Sequence, residues 1–375
     1  MAAQESQTDL HILHVVKRFA TGGLENGVVN IINGLSMHRH TVVSLTDADE
    51  IVERITNPNF DLHCLNSHGN GLATFKAFKK ILDAACPDVV HTRNVGTIEM
   101  QACAALAGTK LRVHGEHGWD TYDPQGKDPK LRVVRRVMGL CVHRWIALSR
   151  ETEIWLTDAL GVGPTKLTKI CNGVDTERLR PGVGTPSAER RFVTVTRLSD
   201  IKNPMYTVHS FLHACATIAS AGSPLPTLVV VGDGPLMPKL REISQNDDYG
   251  AQITFVGQQT DVKTYLERAN VFLLGSLREG ISNTILEGMA MGLPTLVTNT
   301  GGNPELVEPG QTGELVPVDD VEQFAAQIVN YATMPSDNLA HHAQAARQRA
   351  ERHFSIERML SDYDALYRSA EHSKE

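Results

Sequence analysis

The 375-residue sequence predicts an α/β protein built on two doubly wound parallel sheets. Three observations carry that expectation. Short apolar, β-branched runs alternate with longer stretches of helical periodicity, the pattern of βαβ units whose sheet is covered on both faces. The rhythm stops in a charged stretch rich in Pro and Gly at 175–191 and then restarts. The length also suits two domains of ordinary size.

In the first half, the runs at 10–16, 41–45, 88–92, 110–114, 144–148 and 167–171 read as strands. Between them, 24–35, 72–86 and 150–160 carry apolar positions at helical spacing. The second half supplies strands at 192–196, 227–231, 253–256, 271–275 and 294–298, again with helices between. Residues 321–370 read as helical throughout, and the last segment, 356–369, spaces Met359, Leu360, Tyr363, Leu366 and Tyr367 so that they need a surface to dock on. The expected division is an N-terminal domain over 1–180, a C-terminal domain over 181–352, and a terminal helix over 353–375 packing back on the first domain.

Composition narrows the function classes. With 41% hydrophobic and 21% charged residues, the chain is neither a disordered, a collagen-like nor a low-complexity sequence. A net charge of −7 gives no overall attraction to nucleic acid. The six cysteines show no C-x-x-C spacing, and MAAQESQTDL lacks the basic and apolar regions of a signal peptide, so a reduced, cytoplasmic protein is expected. No run of 18 apolar residues predicts a membrane span.

The densest chemical signal lies at 278–307, REGISNTILEGMAMGLPTLVTNTGGNPELV. It follows a strand, so its first loop belongs at the carboxyl end of a parallel sheet, where such folds bind ligands. A helix starting near Ser282 or Asn283 would offer free amides and its dipole to an anion, with Gly280 before it allowing close backbone approach. Glu279 in the loop and Glu287 in the helix set two carboxylates at different heights. Taken alone, they read equally well as a dipole partner and a solvated helix residue. Arg197 and Lys202 follow the strand at 192–196, where a planar fork and a point charge suit a diphosphate.

The E-x7-E block from Glu279 to Glu287, together with GMAMGLPTLVTNTGG, resembles the donor site of retaining nucleotide-sugar glycosyltransferases of the GT-B fold. Further segments carry the same resemblance in order along most of the chain: GGLENGVVNIINGL at 22–35, ICNGVDTERLRP at 170–181, VTRLSDIKNP at 195–204 and VVVGDGP at 229–235. HGEHGWD and the basic residues after it are similar to a bacterial subset associated with exopolysaccharide assembly. The resemblance implies two Rossmann-like domains facing a cleft. It also implies a nucleotide-diphosphate-sugar as substrate, a sugar or lipid-linked acceptor, and neither cofactor nor metal. It assigns Arg197 and Lys202 to the diphosphate, Glu279 to sugar hydroxyls, Glu287 to the ribose and Gly280, Ile281, Ser282 and Asn283 to phosphate and sugar. Gly22 and Gly23 would let the backbone approach donor phosphate or acceptor, and His117 would bind a sugar hydroxyl with Asp120 nearby to orient it. A sugar-nucleotide epimerase, a sugar phosphorylase and a silent nucleotide-sugar-binding module share these features and are the alternatives.

Three other constellations have plainer readings. His114 and His117 are two ligands without a third, and their spacing is not the helical H-E-x-x-H. Asp47 and Asp49 form a D-x-D, the metal-holding pattern of a different glycosyltransferase fold, but read here as a solvated acidic loop. Glu305 opens a helix and reads as donor contact or cap. The segment 127–150 carries seven basic residues against Asp128, with apolar residues between. It offers either a peripheral contact with the inner face of the plasma membrane or an ordinary helix with solvated charges.

Overall fold

A computed structural model describes residues 9–67, 69, 71–118, 123, 126–182 and 189–371. Their contacts divide the chain into two units, Met1–Asn172 with Ile356–Glu375, and Gly173–Ser355.

In chain order the first unit contains β1 (His11–Val16), α1 (Gly23–Gly34), β2 (Arg39–Ser44), β3 (Phe60–Cys64), α2 (Leu72–Ala85) and β4 (Val89–Arg93). It continues with α3 (Met100–Leu106), β5 (Leu111–Glu116), α4 (Pro129–Gly139), β6 (Arg144–Ala147), α5 (Arg150–Leu160) and β7 (Leu167–Lys169). The strands pair in parallel in the order β3-β2-β1-β4-β5-β6-β7. All six residues of β1, HILHVV, are buried, as a strand covered on both faces requires. Local signals set the helix ends. Asp128 caps α4 by accepting from the amides of Lys130 and Leu131, with Pro129 at the first helical position. Ser149 caps α5 through the Thr152 amide, and Gly161 ends it in the left-handed region.

The second unit contains β8 (Arg191–Val195), α6 (Pro204–Ser220), β9 (Thr227–Val231), α7 (Met237–Gln245), β10 (Ile253–Gly257), α8 (Lys263–Glu267) and β11 (Val271–Leu274). Then come α9 (Asn283–Ala290), β12 (Thr295–Thr298), α10 (Asn303–Leu306), β13 (Gly313–Val316), α11 (Val321–Thr333) and α12 (Ser336–His353). Its sheet is also parallel, in the order β10-β9-β8-β11-β12-β13. Phe192, Val230, Leu273 and Leu296 from the strands meet Phe211 of α6 and Phe324, Ile328 and Tyr331 of α11 in its core.

The last helix, α13 (Ile356–Arg368), belongs to the first unit. Its Met359, Tyr363, Leu366 and Tyr367 share a core with Leu10, Ile12, Val89, Val113 and Ile146. Composition suggests a cut near 180, whereas contacts divide the chain after Asn172 because 174–179 is already held by α12. The Val174 amide donates to the Phe354 carbonyl at 2.8 Å, and Arg347 donates to the carbonyls of Thr176 and Leu179.

In each sheet the strand order reverses once, between β1 and β4 and between β8 and β11. A crevice opens at the carboxyl ends of the strands at such a switch point, and ligands of open α/β sheets bind there.

Candidate functional site

Two loops flank the switch point of the second unit. One leaves β8 through Arg197 and Lys202 and turns into α6 at Asn203, which takes a left-handed φ of 44° before Pro204. The other leaves β11 through Ser276 and Glu279 and enters α9. The Leu277 amide donates to the Ile201 carbonyl at 3.0 Å and ties the loops together.

Across that tie lies an ion pair. Lys202 Nζ stands 2.7 Å from both carboxylate oxygens of Glu279, and the buried Ser276 hydroxyl donates to Glu279 Oε1 at 2.6 Å. Glu279 is 6% exposed, so this pair is largely shielded from water on the carboxylate side. The loop after β12 supports it. Thr298 Oγ1 donates to the Ser276 carbonyl at 2.6 Å, Thr300 Oγ1 to the Leu277 carbonyl at 3.0 Å and the Gly302 amide to the Gly280 carbonyl at 2.9 Å. Gly301, at φ 57°, passes so close that a Cβ there would collide with the Glu279 carbonyl.

Beside the pair, α9 begins at Ser282, whose side chain does not cap it. Ile281 and Ser282 are buried, while Gly280, Asn283 and Glu287 are half-buried. Arg197 is exposed. Arg197, Lys202, Glu279 and the start of α9 therefore come from the two loops that border one crevice. Glu305 lies in the short α10, where Arg349 from α12 donates to its backbone carbonyl at 2.8 Å.

In the first unit, Gly22 precedes α1 in extended backbone and accepts from the Asn26 amide at 2.9 Å, with Gly23 opening the helix after β1. His117 follows β5. Asn94, at φ 60° beyond β4, holds it by accepting from the His117 amide at 2.7 Å and donating its own amide to the Gly115 carbonyl at 2.8 Å. Burial first, then the Arg93 guanidinium, keeps the His117 imidazole well below its ordinary pKa, so it stands neutral at neutral pH. Asp120 lies outside the described residues.

The remaining constellations resolve structurally. His114 turns into the sheet, 2.7 Å from Thr92 Oγ1 and edge-on to Trp145. The D-x-D splits, since Asp47 pairs with Arg18 while Asp49 accepts from the amides of Thr21 and Ile51. The basic segment is distributed over α4, β6 and the start of α5. Arg135 is buried, donates to Glu116 at 2.7 Å and lies 5.1 Å over the Trp155 ring. On the outer side of α4, Val133 is 56%, Val137 50% and, just beyond it, Leu140 82% exposed. Lys130 and Arg136 are exposed on the same helix.

Sequence reasoning missed Ser276, Thr298 and Asn94. Each acts through a hydroxyl or amide at a strand end, a signal that exists only once strand order is known.

Comparison with known proteins gives two family matches that divide the chain. Residues 189–333 match "Glycosyl transferases group 1" and residues 21–178 match "Glycosyltransferase Family 4". A relative from Escherichia coli, UDP-Gal:alpha-D-GlcNAc-diphosphoundecaprenol alpha-1,3-galactosyltransferase, is 32% identical over 265 residues, covering 67% of each chain. A putative colanic acid biosynthesis glycosyltransferase, WcaL of Salmonella typhimurium, is 30% identical over 54% of this chain and 52% of its own. The crystal structure of Anabaena Alr3699/HepE in complex with UDP and glucose superposes with a TM-score of 0.82 at 17% identity, covering 96% of this chain and 100% of that one.

Proposed function

Because the chain belongs to the glycosyl transferases of group 1, with the GT-B fold, we propose that it is a retaining glycosyltransferase of polysaccharide or glycoconjugate assembly that uses a nucleotide-diphosphate-sugar. The observation that carries the reading is the Lys202–Glu279 pair at the switch point, beside the start of α9, where the Ser282 side chain makes no capping bond. An ammonium has three N–H groups, and Glu279 engages at most two of them, which leaves one for a phosphate oxygen. Arg197 adds a second cation. The diphosphate gains charge as the glycosidic bond breaks, so these cations act most strongly in the transition state. Glu279 takes sugar hydroxyls, Glu287 the ribose, and Gly280, Ile281, Ser282 and Asn283 flank phosphate and sugar. From the first unit, Gly22 and Gly23 admit phosphate or acceptor and His117 binds a sugar hydroxyl. The acceptor oxygen bonds to the anomeric carbon on the face the diphosphate leaves, and its proton passes to a departing phosphate oxygen. No cofactor or metal takes part in this scheme.

Two comparisons support the choice of substrates. A structural neighbour holds UDP and glucose, and a relative is named for a diphosphoundecaprenol-linked acceptor. The exposed Val133, Val137 and Leu140 among basic residues suit a peripheral contact with an anionic membrane carrying such an acceptor. In the test, UDP-glucose and UDP-galactose are offered with diphosphoundecaprenol-linked N-acetylglucosamine in phosphatidylglycerol vesicles and in detergent. Transfer with an α-anomeric product by NMR is expected, and Leu140→Glu should slow only the vesicle reaction. A β product would overturn retention, and equal rates of this variant in both media would overturn the membrane contact.

A further inference from the structure

Arg93, at the carboxyl end of β4, is 2% exposed, and among the described residues no carboxylate pairs with it. Its guanidinium lies instead against two imidazoles, Nη1 3.2 Å from His14 Nδ1 and Nη2 3.1 Å from His91 Nδ1. A guanidinium only donates, so both Nδ1 atoms must accept, and each neutral ring carries its proton on Nε2.

The consequence can be followed along the His14 branch. His14 Nε2 stands 3.1 Å from His40 Nδ1, and His40 Nε2 stands 3.0 Å from the Leu35 carbonyl. Donation therefore runs in one direction, from Arg93 through both rings to an acceptor, and the tautomers agree throughout. The other branch is fixed at its root by the same guanidinium, and the Tyr367 hydroxyl of α13, 2.8 Å from His91 Nδ1, therefore donates there as well. It ends differently. Among the described residues, His91 Nε2 is buried without a hydrogen-bond partner, and so is His117 Nε2.

Both nitrogens lie beside Gly115. A Cβ on Gly115 would stand 2.5 Å from His117 Nε2 and 3.2 Å from His91 Nε2, so they are at most about 5.7 Å apart, a span that one bridging oxygen covers. We propose that His91 and His117 form a paired-imidazole subsite for a single sugar hydroxyl, with Arg93 and Tyr367 as positioning residues that fix His91 as donor. This rests on the reading of His117 given above and adds His91 as its second half. A neutral hydroxyl suits the pair because it accepts from the His91 N–H and donates to the His117 lone pair. A cation would meet the Arg93 field, and an anion would find one donor, the His91 N–H, and be repelled by the His117 lone pair.

The test uses the intact protein with 15N-labelled histidine and UDP-glucose and UDP-galactose as probes. Imidazole nitrogen shifts should show His91 neutral with its proton on Nε2, and a UDP-sugar that raises Tm should shift the His91 and His117 signals together. His91→Leu should lower kcat/KM about ten-fold, the loss of one neutral hydrogen bond, and His91→Gln, which keeps a donor at similar reach, should recover most of it. A proton on Nδ1, or a UDP-sugar that raises Tm and moves neither signal, would overturn the proposal. If neither UDP-sugar raises Tm, the donor reading fails instead, and free glucose and galactose then decide this one: joint shifts of the His91 and His117 signals uphold the subsite, and signals that stay in place overturn it.

Discussion

At the scale of single residues, the molecule relies on polar groups that are buried only because another group answers them. Glu279 is the clearest instance, held by Lys202 and Ser276. Removing Lys202 strands a carboxylate that is 6% exposed. Because Lys202 itself is partly open to solvent, Lys202→Ala is expected to cost about 1–3 kcal/mol in urea unfolding, below the cost of breaking a fully buried pair. It should also lower kcat/KM about 100-fold under conditions where the variant is still folded. Full stability with full turnover would remove the pair from both roles. Spacing in the sequence placed Glu279, Lys202 and Arg197 after strands, and the structure sets them on the two loops of one crevice. Their mutual contact was not legible, because Lys202 and Glu279 stand 77 residues apart and meet only through the pairing of β8 with β11.

At the scale of elements, legibility followed burial. Strands covered on both faces were readable from composition, β11 (VFLL) as a continuous apolar run and β1 (HILHVV) and β4 (VVHTR) through their β-branched residues. β3 was not, since FDLHC alternates in exposure beside β2 at the sheet edge, and β13 opens on Gly313 at the opposite edge of the other sheet. The terminal helix was readable for the reverse reason, an apolar face too rich for solvent. That face closes the core of the first unit, so α13 is an integral part of it. Leu366, 7% exposed, packs among Leu10, Ile12 and Val89. Leu366→Ala should therefore cost about 2–5 kcal/mol by denaturant unfolding. A change below about 0.5 kcal/mol would mean that α13 only rests on the surface.

At the scale of the whole molecule, the first unit concentrates histidines inside its fold, and their burial has a pH consequence. Burial pushes His14, His91 and His117 well below the ordinary value of 6.5, with Arg93 adding to the effect, and brings His40 to about 4. These groups are neutral in the folded unit and protonate more readily when it unfolds. Their contribution to stability is therefore full above about 6.5 and is lost as pH falls from there toward 4. Thermal melts across that window should show Tm falling with acidification, and a flat Tm would contradict the buried, neutral network. The second unit carries the central claim, that its switch point holds a nucleotide-diphosphate-sugar. Calorimetric titration of UDP-sugars into the wild-type protein and into Arg197→Ala tests it most directly. The account predicts saturable binding of at least one UDP-sugar to the wild type, weakened about ten-fold or more in the variant. Binding unchanged by the loss of Arg197, or no binding of any nucleotide sugar, would contradict it.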